Sequence, residues 1–420
     1  MSGTFSNRKK LILLANAIEA NLNYVKNADD LFPQDQVAKA KYGMTMHGYL
    51  PDAGSTSKGL VAHPDKAHQV EVSTVCQNYN TSAEVDLWDT LMNIEDFRKE
   101  MVDKRSEKLS RDVQKVIIDQ NVFRSCQAEV ATSAGYAMLS NASAKLDELS
   151  VVGDRVDFQT PTVFTKIAQT GANLFWPSDI QKETYEEMSL GEYANAASVK
   201  LPGLPVLDTT GATTAPTITG KAVKDAGGNF IGVKEIKAIT AGASGSIIPG
   251  VPYVLSGLSI VDEGGVETAQ EYVVIPVKEV YFDEDGVEQE RTVIPSLRIT
   301  ATGKGWGNPN AHIAAATIAS ADDGNGNCTF TLAPMTGIEI GSKYQVGQIR
   351  NVKALSFSKL KFDSLPAAKQ DNVGVGEFIS LKMQSAPVVL NGVSYFRIDL
   401  PFIATLFEPR QSVTTFLKLA

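Results

Sequence analysis

An α+β chain carrying an all-β insertion is what this sequence predicts, and three observations predict it. Residues 93–124 (NIEDFRKEMVDKRSEKLSRDVQKVIIDQNVFR) carry a single apolar stripe at helical spacing over an unusual length. Helix and strand patterns then alternate as far as about residue 208. From 209 to 335 helical periodicity gives way to short β-branched runs divided by Gly-Gly, Asp-Gly and Asn-Gly turns.

In the long segment Ile94, Phe97, Met101, Leu109, Val113, Val116 and Ile117 fall on one stripe, interrupted by Arg105. An arginine stem can lie along apolar surface with its charge in water. Asn93 suits the N-cap and Asp96 the positive end of the helix dipole. Glu95/Lys99, Glu100/Lys104 and Glu107/Arg111 are acid-before-base pairs at i,i+4. Neither Gly nor Pro occurs, so the segment reads as one rod of roughly 45–50 Å. A narrow stripe on a charged rod suits an element lying along the back of a sheet. A two-stranded coiled coil fits less well, because the stripe is not a strict heptad.

The 420 residues, 43% hydrophobic and 21% charged, can bury cores for two or three domains. The net charge of −9 is local. Residues 262–290 hold ten acids and one base, Lys278, which leaves 38 acids and 38 bases elsewhere out of 48 and 39. A neutral remainder argues against tight sequence-independent nucleic-acid binding and leaves only low-density contact. Cys76, Cys126 and Cys328 are odd in number and far apart, which fits neither a disulfide framework nor a zinc knuckle. No apolar run approaches about 18 residues, so no membrane-spanning helix is expected. Arg8, Lys9 and Lys10 precede LILLANAIEA in the manner of an export signal. However, Leu11, Leu14, Ile18, Leu22 and Val25 share one helical face, and Asn16, Glu19 and Asn21 break the apolar run. An amphipathic N-terminal helix is expected instead.

After Pro33 the segments 36–50 and 68–76 read as two strands, the second alternating Val70, Val72 and Thr74 against Glu71 and Ser73. Between them PDAGSTSKGLVAHPDKA offers almost no core, and a long hairpin without an apolar face needs something to lie against. Residues 134–150 form a shorter helix, and Thr160-Pro161 opens another after a strand. The 209–335 texture is simplest as a small barrel or sandwich. Three strand candidates close the chain, EFISLKMQSA, VSYFRIDLPFIATLFEP and SVTTFLKL, the first two joined by a turn at Asn391-Gly392.

Catalytic signatures are weak. His47, His63, His68 and His312 are scattered, without HExxH or a His/Cys cluster. His63 and His68 share the hairpin tip with Asp65, where a solvated loop is the better reading than a metal site. No Walker A, GxGxxG or GxSxG occurs. DEDGVEQE at 283–290 lacks the EF-hand spacing and reads as a charged hairpin tip. The chain is expected to be no enzyme and to use no cofactor or metal.

In order, an amphipathic N-terminal helix, an underpacked hairpin, a long helix, an α/β region and closing strands resemble the Hong-Kong-97-type major capsid fold of tailed double-stranded DNA phages. More narrowly the chain resembles coat proteins of the short-tailed Salmonella phages (podoviruses of the Lederbergvirus kind). The residues that carry this are VEVSTVCQNYNTSAEVDLWDTLMNIEDF, KLPGLPVLDTTGATTAPTITG (200–220) with IIPGVPYVLSGL (247–258), and YFRIDLPFIATLFEPRQSVTTFL. The acidic hairpin around 278–293 is longer than that family requires.

The resemblance implies a structural protein of the virion, assembled in the host bacterial cytoplasm into pentamers and hexamers of an icosahedral shell. Its partners would be itself, a scaffolding protein in the procapsid, a portal protein at one vertex, and packaged double-stranded DNA through weak contact. It implies an N-terminal arm (1–35), an E-loop hairpin (36–76) and a peripheral domain (77–126) with its spine helix at 93–124. It further implies an axial domain (127–208 and 336–375), an inserted β-barrel domain (209–335) and peripheral closing strands (376–420). Lys58, Leu60 and Val61 would contact a neighbouring subunit, as would Lys224, Asp225 and Asn229 in the 223–232 turn. Arg8, Lys9 and Lys10 would face the interior. A bacterial nanocompartment shell is the alternative within this class, disfavoured by the insertion. A β-rich surface or adhesion protein is the alternative outside it, disfavoured by the N-terminus.

Overall fold

The structure, a computed structural model, describes residues 7–26, 28–51, 69–86, 104–172, 192–224, 227, 230–242, 245–261, 267–283, 287–294, 299–301, 311–313, 326–360, 369–375, 378–388 and 393–419. Lys58, Leu60, Val61, His63, Asp65, His68, Ile94, Phe97, Met101, Asp225, Asn229 and the Asn391-Gly392 turn lie outside the described residues.

A seven-stranded body sheet runs in the order Gln127–Ala131, Ser412–Lys418, Lys343–Asn351, Arg155–Gln159, Ala196–Lys200, Glu192–Tyr193, with Val206–Asp208 also pairing along Lys343–Asn351. Two helices serve it. Tyr136–Glu148 buries Met138, Leu139, Ala142 and Leu146 and packs on the closing strand. The amide of Val151 closes its end by bonding the Leu146 carbonyl at 3.1 Å, with Ser150 left-handed at φ 59°. Pro161–Ala172 begins with proline at its first position, and the Thr160 Oγ1 accepts the Val163 amide at 3.5 Å.

A second sheet is built on the 14-residue strand Val393–Leu406. Gln77–Asp86 lies along one edge, and Ser380–Val388 and Leu355–Lys359 lie end to end along the other. The helix Lys104–Asn121 contacts both Val393–Leu406 and Gln77–Asp86. The N-terminal helix Asn7–Asn21 packs against Lys104–Asn121 and Lys369–Val375, burying Leu14 and Ile18.

One expectation changes here. Residues 36–50 are not one strand. Gln34–Val37 forms a single helical turn, Gly43 turns the chain at φ +76°, and the strand starts only at Thr45. Pro33 at the helical turn's N-cap and a glycine free to adopt positive φ both act against a continuous strand. The insertion, expected as a barrel or sandwich, forms an eight-stranded sheet among the described residues. Its path runs from Glu267–Val274 to Asn327–Thr331, and Ala333–Pro334, just beyond that last strand, pairs with Tyr253–Val261.

The insertion shares its core with the body. Tyr253, Val254 and Val273–Ile275 belong to one buried cluster with Phe123, Cys126 and Val346. Thr209 fastens its two ends. The Thr209 hydroxyl donates to the Ser342 carbonyl at 2.8 Å and accepts the amides of Gly341 and Ser342, each at 3.0 Å.

Candidate assembly surface

The chain leaves its body in one hairpin arm, Thr45–Pro51 against Gln69–Val75, in unbroken register from Thr45↔Val75 to Pro51↔Gln69. Among the described residues it pairs with no third strand. Strand alternation divides its residues. Met46 and Gly48 are buried, while Thr45 is exposed and Tyr49 is 51% exposed. At the root Tyr42 and Met44 are exposed as well, at 53% and 41%.

A small cluster of its own holds the arm. Phe32, Val37, Ala40, Met46, Cys76, Leu360, Ile403 and Phe407 pack together, separate from the main core. Phe32 and Phe407 meet edge to face at 5.5 Å. Gly48 is where the strand crosses this pair, and any side chain there would overlap the Phe407 ring. Burial pushes the Cys76 and Cys126 thiols up to about 12, so both free cysteines are unreactive apolar fillers.

The N-terminal segment ties this root to the body sheet. Arg350, fully buried, lies with its guanidinium 5.1 Å from the Tyr24 ring and 5.2 Å from the Phe158 ring. It donates to the carbonyls of Tyr24 (2.5 Å), Asn351 (3.3 Å) and Val352 (3.0 Å). Burial lowers its pKa, partly countered by Tyr24. The Tyr24 hydroxyl donates to Gln348 at 2.7 Å, and burial pushes it up to about 12, with Arg350 pulling the other way. Further on, Phe357 donates its amide to the Asp29 carbonyl at 2.9 Å.

On the sheet's other strand, Asp157 is buried with Oδ1 accepting from Gln159 at 2.8 Å. Its cross-strand neighbour Ser198 brings a hydroxyl close enough to favour the charged carboxylate, although among the described residues neither that hydroxyl nor Asp157 Oδ2 makes a hydrogen bond of good geometry. Burial raises the Asp157 carboxyl to about 7.

Of the stripe residues that are described, Leu109, Val113 and Ile117 are buried and Val116 is half-buried. Sequence reasoning missed Ser110, Gln114, Ile118 and Asn121, all buried on the adjoining row. Their own i,i+4 spacing was the available signal, masked by three of the four being polar. Asn121 accepts the Leu406 amide on Oδ1 at 2.6 Å, fastening the helix to the long strand. Lys224 ends a strand opposite Phe230, and Arg8–Lys10 lie in the first turns of the N-terminal helix. Among the described residues no group of three His, Cys, Asp or Glu could hold a metal, and no helix is long and apolar enough to cross a membrane.

No protein-family model matches the chain, and no curated protein matches it. Solved structures similar to it include the capsid of the cyanophage P-SCSP1u, 10% identical, with 93% of this chain and 90% of that chain covered and a TM-score of 0.41. The mature capsid of bacteriophage PhiM1 is 9% identical over 91% of this chain and 83% of that one, with a TM-score of 0.39. The virus-like particle from Pyrococcus furiosus is 8% identical over 96% and 98%, with a TM-score of 0.33.

Proposed function

We propose that this chain is the repeating subunit of a closed protein shell, the major capsid protein around a phage's double-stranded DNA. The arm carries the reading. It is a registered two-stranded hairpin, held at its root by a satellite cluster and exposing Tyr42, Met44 and Tyr49. Large apolar side chains on a rigid projection favour a neighbour that covers them, and a shell supplies heterologous contacts that close by symmetry. The Lys104–Asn121 helix braced on a long-strand sheet supplies a stiff base for such contacts.

In this reading the role is structural rather than catalytic. Subunits form pentamers and hexamers, a scaffolding protein guides the procapsid, a portal occupies one vertex, and Arg8–Lys10 face DNA. The tip residues Lys58, Leu60 and Val61 lie over a neighbour, and the 223–232 turn joins capsomers. Closeness to the short-tailed Salmonella phages belongs to the same proposal.

Deleting 53–62 tests it. The soluble chain should keep its melting temperature, because the deleted stretch holds few apolar side chains, while closed particles vanish from negative-stain images. A deletion that melts the monomer and spares particle formation would overturn the reading.

A further inference from the structure

The acidic hairpin is the motif that the body, the arm and the shell reading leave unused. Its strands, Val277–Phe282 and Glu288–Val293, pair only with each other among the described residues, apart from the insertion's sheet. They reach two other parts of the chain. At the spine, Glu279 lies 3.7 Å from Arg124, just past the end of the Lys104–Asn121 helix, and 2.8 Å from Arg291. Arg124 and Glu279 are only 11% and 18% exposed, so this pair is shielded from water far more than a surface bridge. Burial raises the pKa of Asp119 on that helix, and Lys278, next in the strand, is close enough to join Lys115 in opposing the shift.

At the other end Phe282 meets Tyr42 edge-on at 5.0 Å. A Cβ at Gly43 would sit 3.2 Å from the Phe282 ring, so the ring lies directly on the chain there. Gly43 is the arm's root: its amide donates to the Cys76 carbonyl at 3.1 Å, and the Cys76 amide donates to the Met44 carbonyl at 2.9 Å. The hairpin therefore spans from the spine helix to the first backbone bonds of the arm.

We propose that the acidic hairpin is a latch that fixes the angle at which the arm leaves the body, so that the insertion sets the arm's direction. The satellite cluster grips the arm on one side. Phe282 adds a second contact away from that cluster, and Glu279 anchors the hairpin's strand so that Phe282 cannot drift. Two separated contacts remove a rocking freedom that one leaves, and an arm held in its final direction loses less entropy on meeting a neighbour. The geometry stands without the shell reading; only the purpose of the fixed angle rests on it.

Hydrogen exchange on the soluble full-length chain tests the latch. In the Phe282→Ala and Glu279→Gln/Phe282→Ala variants, arm amides in 43–51 and 69–76 should exchange at least about tenfold faster. Amides of Lys343–Asn351 should keep the wild-type rate. Glu290→Gln, which removes an exposed pair with Lys278, serves as the control and should leave the arm unchanged. Unchanged arm exchange in the double variant would overturn the latch, as would equal acceleration in Lys343–Asn351, the sign of general destabilisation. In assembly reactions the variants should give particles of mixed diameter where the wild type gives one size. Wild-type chain that forms no particles would count against the shell, while the exchange result would still decide the latch.

Discussion

In the body sheet the strand Lys343–Asn351 is buried without a break from Val346 to Asn351, whereas in the arm strand burial alternates from residue to residue over Thr45 to Tyr49. Burial on both faces makes the body strand self-sufficient, at the cost of enclosing Gln348, Arg350 and Asn351. Each of these is hydrogen-bonded, and Arg350 reaches three carbonyls. Among the arm's described residues nothing polar is enclosed that needs such partners, but Thr45 and Tyr49 are left without cover. On the proposed reading, one region would show what a subunit does for itself, and the other what it leaves to a second copy. Substitutions that act on folding should therefore concentrate in the body, and substitutions that act on assembly alone should concentrate in the arm.

Arg350→Ala should produce the largest effect. It empties the space between the Tyr24 and Phe158 rings and strips two buried carbonyls and one part-buried carbonyl of their donor, a loss of about 3–5 kcal/mol. Denaturant unfolding should show that loss, with the N-terminal segment freed as well, because Tyr24 hangs on this side chain. A loss below about 1 kcal/mol would mean that the body strand is not self-sufficient in the way its burial implies.

Asp157→Asn should act in the opposite direction and only in one range of pH. The native carboxyl titrates at about 7 against an ordinary 3.8, so between these values the folded state holds a proton that the unfolded state has released. Its contribution to stability is thus fullest below pH 3.8, falls as pH rises to about 7, and stays lost above. Asparagine cannot ionise. The variant should match the wild type near pH 4 and exceed it by roughly 2–4 kcal/mol at pH 8. A constant difference across that range would show that Asp157 does not bear the buried charge.

Much of this contrast was legible in the sequence, and the reasons are local. Thr160-Pro161 announces a helix because a cap and a missing amide act within one turn. The hairpin was legible from the alternation around Val70–Thr74 and from the scarcity of apolar residues at 51–67. The all-β character of the insertion showed in its turns. Its pairing did not, because the order of strands in a sheet depends on contacts between distant residues such as Tyr253↔Val274 and Ile299↔Ala311. Nor could Arg350 or Asp157 be singled out. IRNVK and RVDFQ read as ordinary strands with solvated charges, and only the packing of Tyr24 and the facing sheet strands reveals that both are enclosed.

Tyr49→Ala should be the quietest change in the isolated chain and so the sharpest test of the contrast. Tyr49 is half exposed beside the buried Gly48, and its ring belongs to neither buried cluster. Truncating it removes little area that folding had buried, so unfolding should shift by no more than about 0.5 kcal/mol. In a shell the same ring would sit at an interface centre, where a tyrosine commonly dominates the energy of contact. Particle yield in sedimentation assays should therefore drop sharply while the melting curve overlays that of the wild type. Met46→Ala, two residues before Gly48 on the same buried side, should reverse the pattern by lowering the melting temperature first. Should both substitutions lower it alike, the arm's outer face belongs to the monomer's own core, and the division between a self-sufficient body and a partner-dependent arm fails.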